Sequence, residues 1–131
     1  MIVNDRITDY IGSLEPDRTP LLTEIGRRAR EDGVPVIREE TAAFLQTMTA
    51  AVKPGAILEV GTAVGYSALL MAQVMPKDCR ITTIEKYEKR IPKARENFIK
   101  AGETGRITLL EGDAQEILKG LAGPFDLVFM D

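Results

Sequence analysis

The sequence predicts an α/β fold in which a doubly wound parallel sheet follows a set of N-terminal helices, all within one domain of residues 1–131. Two observations predict it. From residue 54 onward, short apolar segments alternate with longer helical segments of about 10–15 residues, which is the pattern of βαβ units. The composition, with 44% hydrophobic and 28% charged residues, is that of an ordinary globular domain.

The N-terminal part, residues 1–53, is predicted to be mainly helical. Apolar spacing places helices at about residues 7–14, 17–32 and 44–52, with an extended segment at 34–37. Pro20 lies in the first turn of the second helix, where proline is tolerated, and Gly33 closes that helix. The first helix is expected to stop before Pro16, and the third to end near residues 53–55.

Residues 54–131 are predicted to hold four strands and three helices. The strands are expected at 57–60, 81–84, 107–110 and 125–130, and the helices at 66–75, 87–98 and 114–121. Pro92 inside the second of these helices predicts either a kink or a later start. Because crossovers between parallel strands are right-handed, these units build a doubly wound sheet with helices on both faces.

The composition excludes several classes of site. The chain has no histidine, which removes histidine-based catalytic triads and histidine metal sites. Cys79 is the only cysteine, so an internal disulfide is impossible and a reducing cytoplasmic location is expected. A net charge of −3 gives no electrostatic footprint for nucleic acid. No apolar run approaches the length of a membrane span, so no membrane association is expected.

A glycine loop follows the first predicted strand. Gly61 and Gly65 stand in a G-x-x-x-G arrangement, which differs from the G-x-G-x-x-G of dinucleotide-binding folds. Ligands of open α/β sheets bind at the carboxyl ends of the strands, where this loop is expected to lie. The spacing favours a small molecule lying over the loop. The alternative is a tight strand-to-helix turn that binds nothing.

Acidic residues end the remaining strands. Glu85 follows the second strand, 20 residues beyond Gly65, where a carboxylate can accept from both hydroxyls of a ribose, although a helix-capping acid is also common there. Asp113 follows the third strand and is expected to cap the next helix, to accept from an adenine amino group, or both. Asp131 ends the fourth strand, facing the reacting end of such a ligand as a metal ligand or a partner for an ammonium group.

These segments resemble the metal-dependent S-adenosylmethionine O-methyltransferases, the group that includes catechol and caffeoyl-CoA O-methyltransferases. The resemblance rests on four segments in order: "LEVGTAVGYS" from Leu58, "TTIEK" from Thr82, "GDAQ" from Gly112, and "FDLVFMD" ending at Asp131. It covers residues 34–131 and implies a Rossmann-like methyltransferase sheet. The N-terminal part, with "RITDYI" and "VPVI", is most similar to the bacterial branch that methylates 5-hydroxyuridine in tRNA.

The resemblance implies a role for each matching residue. Ile37 would contact the methionine part of S-adenosylmethionine, and the Gly61–Gly65 loop would lie beneath that part. Ser67 would bind the methionine carboxylate and Glu85 the ribose, while Asp113 and Ala114, with Gln115 beside them, would flank the adenine. Asp131 would ligate Mg²⁺ and lie near the methionine amino group. Glu59 is grouped with these cofactor residues, although it is expected to position the loop rather than to touch the cofactor.

The resemblance also implies a chemistry and a set of partners. A divalent cation would chelate two vicinal oxygens of the substrate, and a lysine just beyond the Asp131 position would act as the base. The substrate is expected to be tRNA hydroxyuridine, with a small catechol-like phenol as the alternative and a nucleotide-binding or dehydrogenase module as a third class. Arg27, Arg28, Arg30 and Arg38 form a basic cluster that fits tRNA, although such clusters more often lie on a solvated helix face. A homodimer is expected for the full-length protein.

The last expectation concerns length. The sheets of this family have about seven strands, whereas four are predicted here, so the chain is expected to be part of an enzyme of about 210 residues. An unpaired edge along residues 127–130 would be an aggregation hazard unless a second copy or a swapped element covered it. The chain alone is expected to keep most cofactor contacts without turning over.

Overall fold

The computed structural model describes residues 4–15 and 17–131, so Pro16 lies outside the described residues. The N-terminal part forms α1 (Asp5–Ser13), α2 (Pro20–Glu31) and α3 (Glu39–Val52). The remainder alternates between strand and helix as β1 (Ala56–Val60), α4 (Tyr66–Val74), β2 (Arg80–Glu85), α5 (Ile91–Lys100), β3 (Ile107–Glu111), α6 (Ala114–Gly120) and β4 (Leu127–Met130). None of the helices in these two ranges has the length and apolar character needed to cross a membrane.

The four strands form one parallel sheet in the order β3-β2-β1-β4, which confirms the predicted α/β class. The chain runs outward from β1 to β3 and then returns to place β4 beside β1. Right-handed crossovers therefore put α4 and α5 on one face of the sheet and α6 on the other. The point where the strand order reverses lies between β1 and β4, and it is there that ligands bind in such sheets.

Helix α4 lies at the centre of the molecule. Residues Tyr66–Ala72 are all buried, because the sheet covers one side of the helix and α2 and α3 pack on the other. A helix buried on all sides needs apolar or small residues throughout, and "YSALLMAQV" meets that need. Ile57, Ile81 and Ile107 contribute the sheet's side of the same hydrophobic core. The start of α4 is therefore held firmly beside the carboxyl end of β1.

The structure corrects several predicted boundaries. Helix α3 begins at Glu39, five residues before the predicted start near residue 44. Helix α2 begins at Pro20 rather than near residue 17, because the Thr19 hydroxyl accepts from the Leu22 amide and caps the helix there. Helix α5 begins at Ile91, which places Pro92 in its first turn and leaves Tyr87 outside the helix. Strand β4 begins at Leu127, two residues later than predicted.

Candidate functional site

A groove of about 480 Å³ opens at the carboxyl ends of the strands. Its lining comes from the ends of β1 and β2, the turn before α6, and Asp131 after β4. A smaller cavity of about 20 Å³ continues toward the start of α4 and shares Pro35, Gly61, Ala63 and Asp131 with the groove. Most of the predicted site residues line one or both of these cavities. Gly61, Glu85, Asp113, Ala114 and Asp131 line the groove, Ile37 and Ser67 line the smaller cavity, and Glu59 and Gly65 line neither.

Close packing within the protein explains why both ends of the loop are glycines. Gly61 has φ +100°, and a Cβ on it would lie 2.3 Å from the Asp131 carbonyl oxygen. Gly65 has φ +86°, and a Cβ on it would lie 2.6 Å from the Phe98 ring. These contacts give a structural reason for both residues without any ligand, so the two glycines do not by themselves argue for a bound molecule.

The start of α4 is free of a side-chain cap. Gly65 is the N-cap residue and cannot supply one, although the first amide groups of any helix lack partners within the helix. Tyr66 and Ser67, in the first turn, line the smaller cavity. Unpaired amides and the positive end of the helix dipole favour an anion at this point.

Glu59 lies behind the loop in a network of hydroxyl groups. It has no exposed surface, and its carboxylate oxygens accept hydrogen bonds from the Ser67 and Thr83 hydroxyls. Thr83 is bonded in turn to Thr62 in the loop, with 2.6 Å between the hydroxyl oxygens. Burial raises the pKa of Glu59 to about 7, and the charges of Asp131 and Glu85 act in the same direction. Glu59 thus connects the loop, β2 and α4.

Glu85 binds two backbone amides and also faces the groove. Its Oε2 accepts from the Ala63 amide at 2.7 Å and its Oε1 from the Tyr87 amide at 2.8 Å. Ala63 has φ +48°, and the bond to Glu85 holds it in this unfavourable conformation. Each carboxylate oxygen retains a second lone pair, and the side chain lines the groove. Glu85 can therefore accept two further hydrogen bonds from a ligand.

The turn before α6 supplies the far end of the groove. Asp113 is the N-cap of α6 and its Oδ1 accepts from the Gln115 amide at 2.9 Å, which confirms the predicted cap. Its Oδ2 lies 3.7 Å from the Lys86 ammonium, and both side chains are largely exposed. Ala114 and Gln115 line the groove beside it. The turn thus offers a carboxylate and a small apolar residue to a ligand.

Asp131 lies where β4 meets the loop. Its amide donates to the Val60 carbonyl at 3.1 Å, and the residue lines both the groove and the smaller cavity. Within residues 4–15 and 17–131, no group of three or more acidic, cysteine or histidine side chains is placed to hold a metal ion. A single carboxylate such as Asp131 is compatible with Mg²⁺, because the ion keeps several water ligands, and Mg²⁺ binding here stays a prediction.

Several residues of the site were given no individual role from sequence. Thr62 and Thr83 complete the Glu59 network, and Pro35 lines both cavities. A signal for Thr83 was present, because a threonine at a buried position of a central strand needs a polar partner. Its partner Glu59 lies directly across the β1–β2 ladder.

Comparison with known proteins places this geometry in a family. A sequence model described as O-methyltransferase matches residues 16–131. The chain belongs to this O-methyltransferase family. A catechol O-methyltransferase of Niastella koreensis is 33% identical over 133 residues, which cover 97% of this chain and 60% of that protein. The chain thus spans about 60% of the length of this relative.

Two solved structures show that the similarity extends to the three-dimensional fold. A Podospora anserina methyltransferase with S-adenosylhomocysteine bound superposes with a TM-score of 0.90 at 32% identity, covering 97% of this chain and 56% of that one. A Streptomyces achromogenes O-methyltransferase of tomaymycin synthesis, in complex with S-adenosylmethionine, gives 0.86 at 28% identity, covering 100% of this chain and 63% of that one.

Proposed function

We propose that the groove binds S-adenosylmethionine and that the protein transfers its methyl group to a hydroxyl oxygen. One observation carries the proposal. The start of α4, which has no side-chain cap, lines the smaller cavity, and the Glu85 carboxylate lines the groove; the two cavities share Gly61 and Ala63 of the loop. The start of α4 suits the methionine carboxylate, and Glu85 suits the ribose hydroxyls.

The three parts of the cofactor match three parts of the groove. The methionine carboxylate would lie at the start of α4 beside Ser67, within the smaller cavity that Ile37 also lines. The ribose would bind Glu85 through the lone pairs that the two backbone amides leave free. The adenine would lie against Ala114, with its amino group near Asp113. The sulfonium methyl would then lie near Asp131.

The chemistry that follows is mainly a matter of positioning. A substrate hydroxyl oxygen attacks the methyl carbon as the carbon–sulfur bond breaks, which leaves a neutral thioether and a released proton. Holding oxygen, carbon and sulfur in line supplies most of the acceleration. The residues of this chain hold the cofactor's side of that arrangement. The base, the binding of Mg²⁺ by Asp131 and by further ligands, and the homodimer stay predictions.

The substrate that we favour is a small phenol with adjacent hydroxyls. The catechol O-methyltransferase relative supports this class. The basic cluster that fitted tRNA is largely neutralised in the structure, because Arg27, Arg28 and Arg30 are paired with Glu31, Glu24 and Glu39. Hydroxyuridine in tRNA remains the second candidate, supported by the N-terminal resemblance.

Methyl transfer from labelled S-adenosylmethionine tests both candidates. The protein is incubated with Mg²⁺ and either catechol or tRNA that lacks the wobble-position modification, with EDTA added in a parallel reaction. Label in methylated catechol supports a small phenol as the substrate. Label in tRNA alone would show that the substrate is tRNA instead. Binding of NAD without binding of S-adenosylhomocysteine would contradict both.

A further inference from the structure

A buried series of hydroxyl groups ends at the Glu59 carboxylate. The Ser67 hydroxyl donates to Oε1 and the Thr83 hydroxyl to Oε2. Because the Thr83 hydrogen is directed to Glu59, the hydrogen between Thr62 and Thr83 belongs to Thr62. When Glu59 is ionised, the Ser67 and Thr83 hydrogens are therefore directed to its carboxylate, and the Thr62 hydrogen is directed to the Thr83 oxygen.

Ser67 has one hydroxyl hydrogen, and Glu59 uses it. Ser67 also lines the smaller cavity at the start of α4, where the free amides and the helix dipole favour an anion. A ligand carboxylate that bonds to the Ser67 hydroxyl needs that same hydrogen, because an ionised carboxylate only accepts. The hydroxyl cannot donate to two carboxylates at once.

A proton on Glu59 removes the conflict. Protonated Glu59 can donate to the Ser67 oxygen, which frees the Ser67 hydrogen for the ligand, while the other Glu59 oxygen still accepts from Thr83. We propose that Glu59 is a positioning residue that takes up one proton when a ligand carboxylate binds Ser67, so that Ser67 is turned toward the ligand. This inference rests on the proposed function, in which the methionine carboxylate occupies that position.

The surroundings of Glu59 make this uptake accessible near neutral pH. The ionised groups that act on it are Asp131 after β4 and Glu85 at the end of β2, and both disfavour its charge. Neither of them is a hydrogen-bond partner of Glu59. Helix α4 and the loop present only the uncharged Ser67 and Thr62 to the network. Burial is the largest cause that raises the Glu59 pKa to about 7.

Proton uptake can be measured directly by calorimetry. S-adenosylhomocysteine is titrated into the chain at pH 8 in buffers of different ionisation enthalpy, and the slope of the observed enthalpy against buffer enthalpy counts the protons. A group of pKa about 7 is about 10% protonated at pH 8, so an uptake of about 0.9 proton is expected. Affinity should fall about tenfold for each pH unit above 7.

Glu59→Gln is the matched variant, because its amide can donate to Ser67 and accept from Thr83 as protonated Glu59 would. The variant should bind S-adenosylhomocysteine without the extra proton uptake and with affinity that stays level from pH 7 to pH 9. Should the variant not fold, the wild-type measurement decides alone.

The outcomes separate this inference from the proposed function. Normal binding by the wild type with no proton uptake and no loss of affinity above pH 7 would overturn the role of Glu59 and leave the proposed function standing. Absence of S-adenosylhomocysteine binding at every pH from 6 to 9 would overturn the proposed function itself, and the role of Glu59 with it.

Discussion

Replacement of Glu85 by alanine tests the ribose assignment through two measurable effects. In the folded protein the carboxylate accepts from the Ala63 and Tyr87 amides, and in the proposed complex it also accepts from two ribose hydroxyls. Glu85→Ala removes the ligand's acceptors and leaves two backbone amides without their partner. Ligand affinity and folding stability should therefore both fall.

The magnitudes follow from the hydrogen bonds involved. Bonds to a charged group contribute about 1.5–3 kcal/mol, so S-adenosylhomocysteine should bind about 10- to 150-fold more weakly to the variant. Each amide left unsatisfied costs about 1–3 kcal/mol where it stays buried, which lowers the unfolding free energy of the free protein. Calorimetric titration gives the first quantity, and urea denaturation gives the second.

Glu111→Ala is the matched control. Glu111 lies directly across from Glu85 in the β2–β3 ladder, yet it pairs with Arg95 on the surface and does not line the groove. Its loss should change affinity less than twofold, because exposed ion pairs contribute little. If Glu85→Ala binds S-adenosylhomocysteine as tightly as the wild type while losing stability, Glu85 only supports the loop and the ribose assignment is wrong.

Three further predictions concern the frame of the site. Gly65→Ala should destabilise the fold by about 2–4 kcal/mol in urea denaturation, because it adds a clash with Phe98 to the cost of a positive φ. Gly102 has φ +70° and open space around it, so Gly102→Ala should lower the unfolding free energy by only about 1 kcal/mol. Equal losses in the two variants would refute the packing argument. The folded-state pKa of Glu59, about 7, lies above the ordinary carboxyl value of 4.5, so the contribution of Glu59 to stability declines by about 3 kcal/mol as pH rises from about 4.5 to about 7. A wild-type profile of unfolding free energy against pH that runs parallel to that of Glu59→Gln would contradict this. The thiol of Cys79, which is buried and has a raised pKa, should react with a disulfide reagent only when the protein unfolds, and fast labelling of the native chain would refute its burial.

The sequence predicted the sheet because its signal is local and repeated. Short apolar strands alternate with helices, and acidic residues follow the strands at the edge where a ligand is expected. The predicted boundaries differ from the observed ones where a single capping contact decides them. Thr19 moves the start of α2, and Pro92 is compatible both with a kink and with a first turn until the packing of α5 is known.

The roles of the glycines could not be predicted, because they depend on contacts between distant parts of the chain. Gly61 meets the carbonyl of Asp131 and Gly65 meets the ring of Phe98, and neither neighbour is near in sequence. The Glu59 network has the same origin, since Thr83 on β2 donates to Glu59 on the neighbouring strand β1. Sequence spacing predicted the site residues as a group, while the structure separates those that line the two cavities from Glu59 and Gly65, which line neither.

The most direct test of the central claim is a calorimetric comparison of S-adenosylhomocysteine with NAD at pH 7, using the 131-residue chain. The groove and the free start of α4 predict one S-adenosylhomocysteine bound per chain, weakened by Glu85→Ala, and no measurable heat from NAD. Binding of NAD, or S-adenosylhomocysteine binding that Glu85→Ala and Ser67→Ala both leave unchanged, would contradict the assignment of this groove.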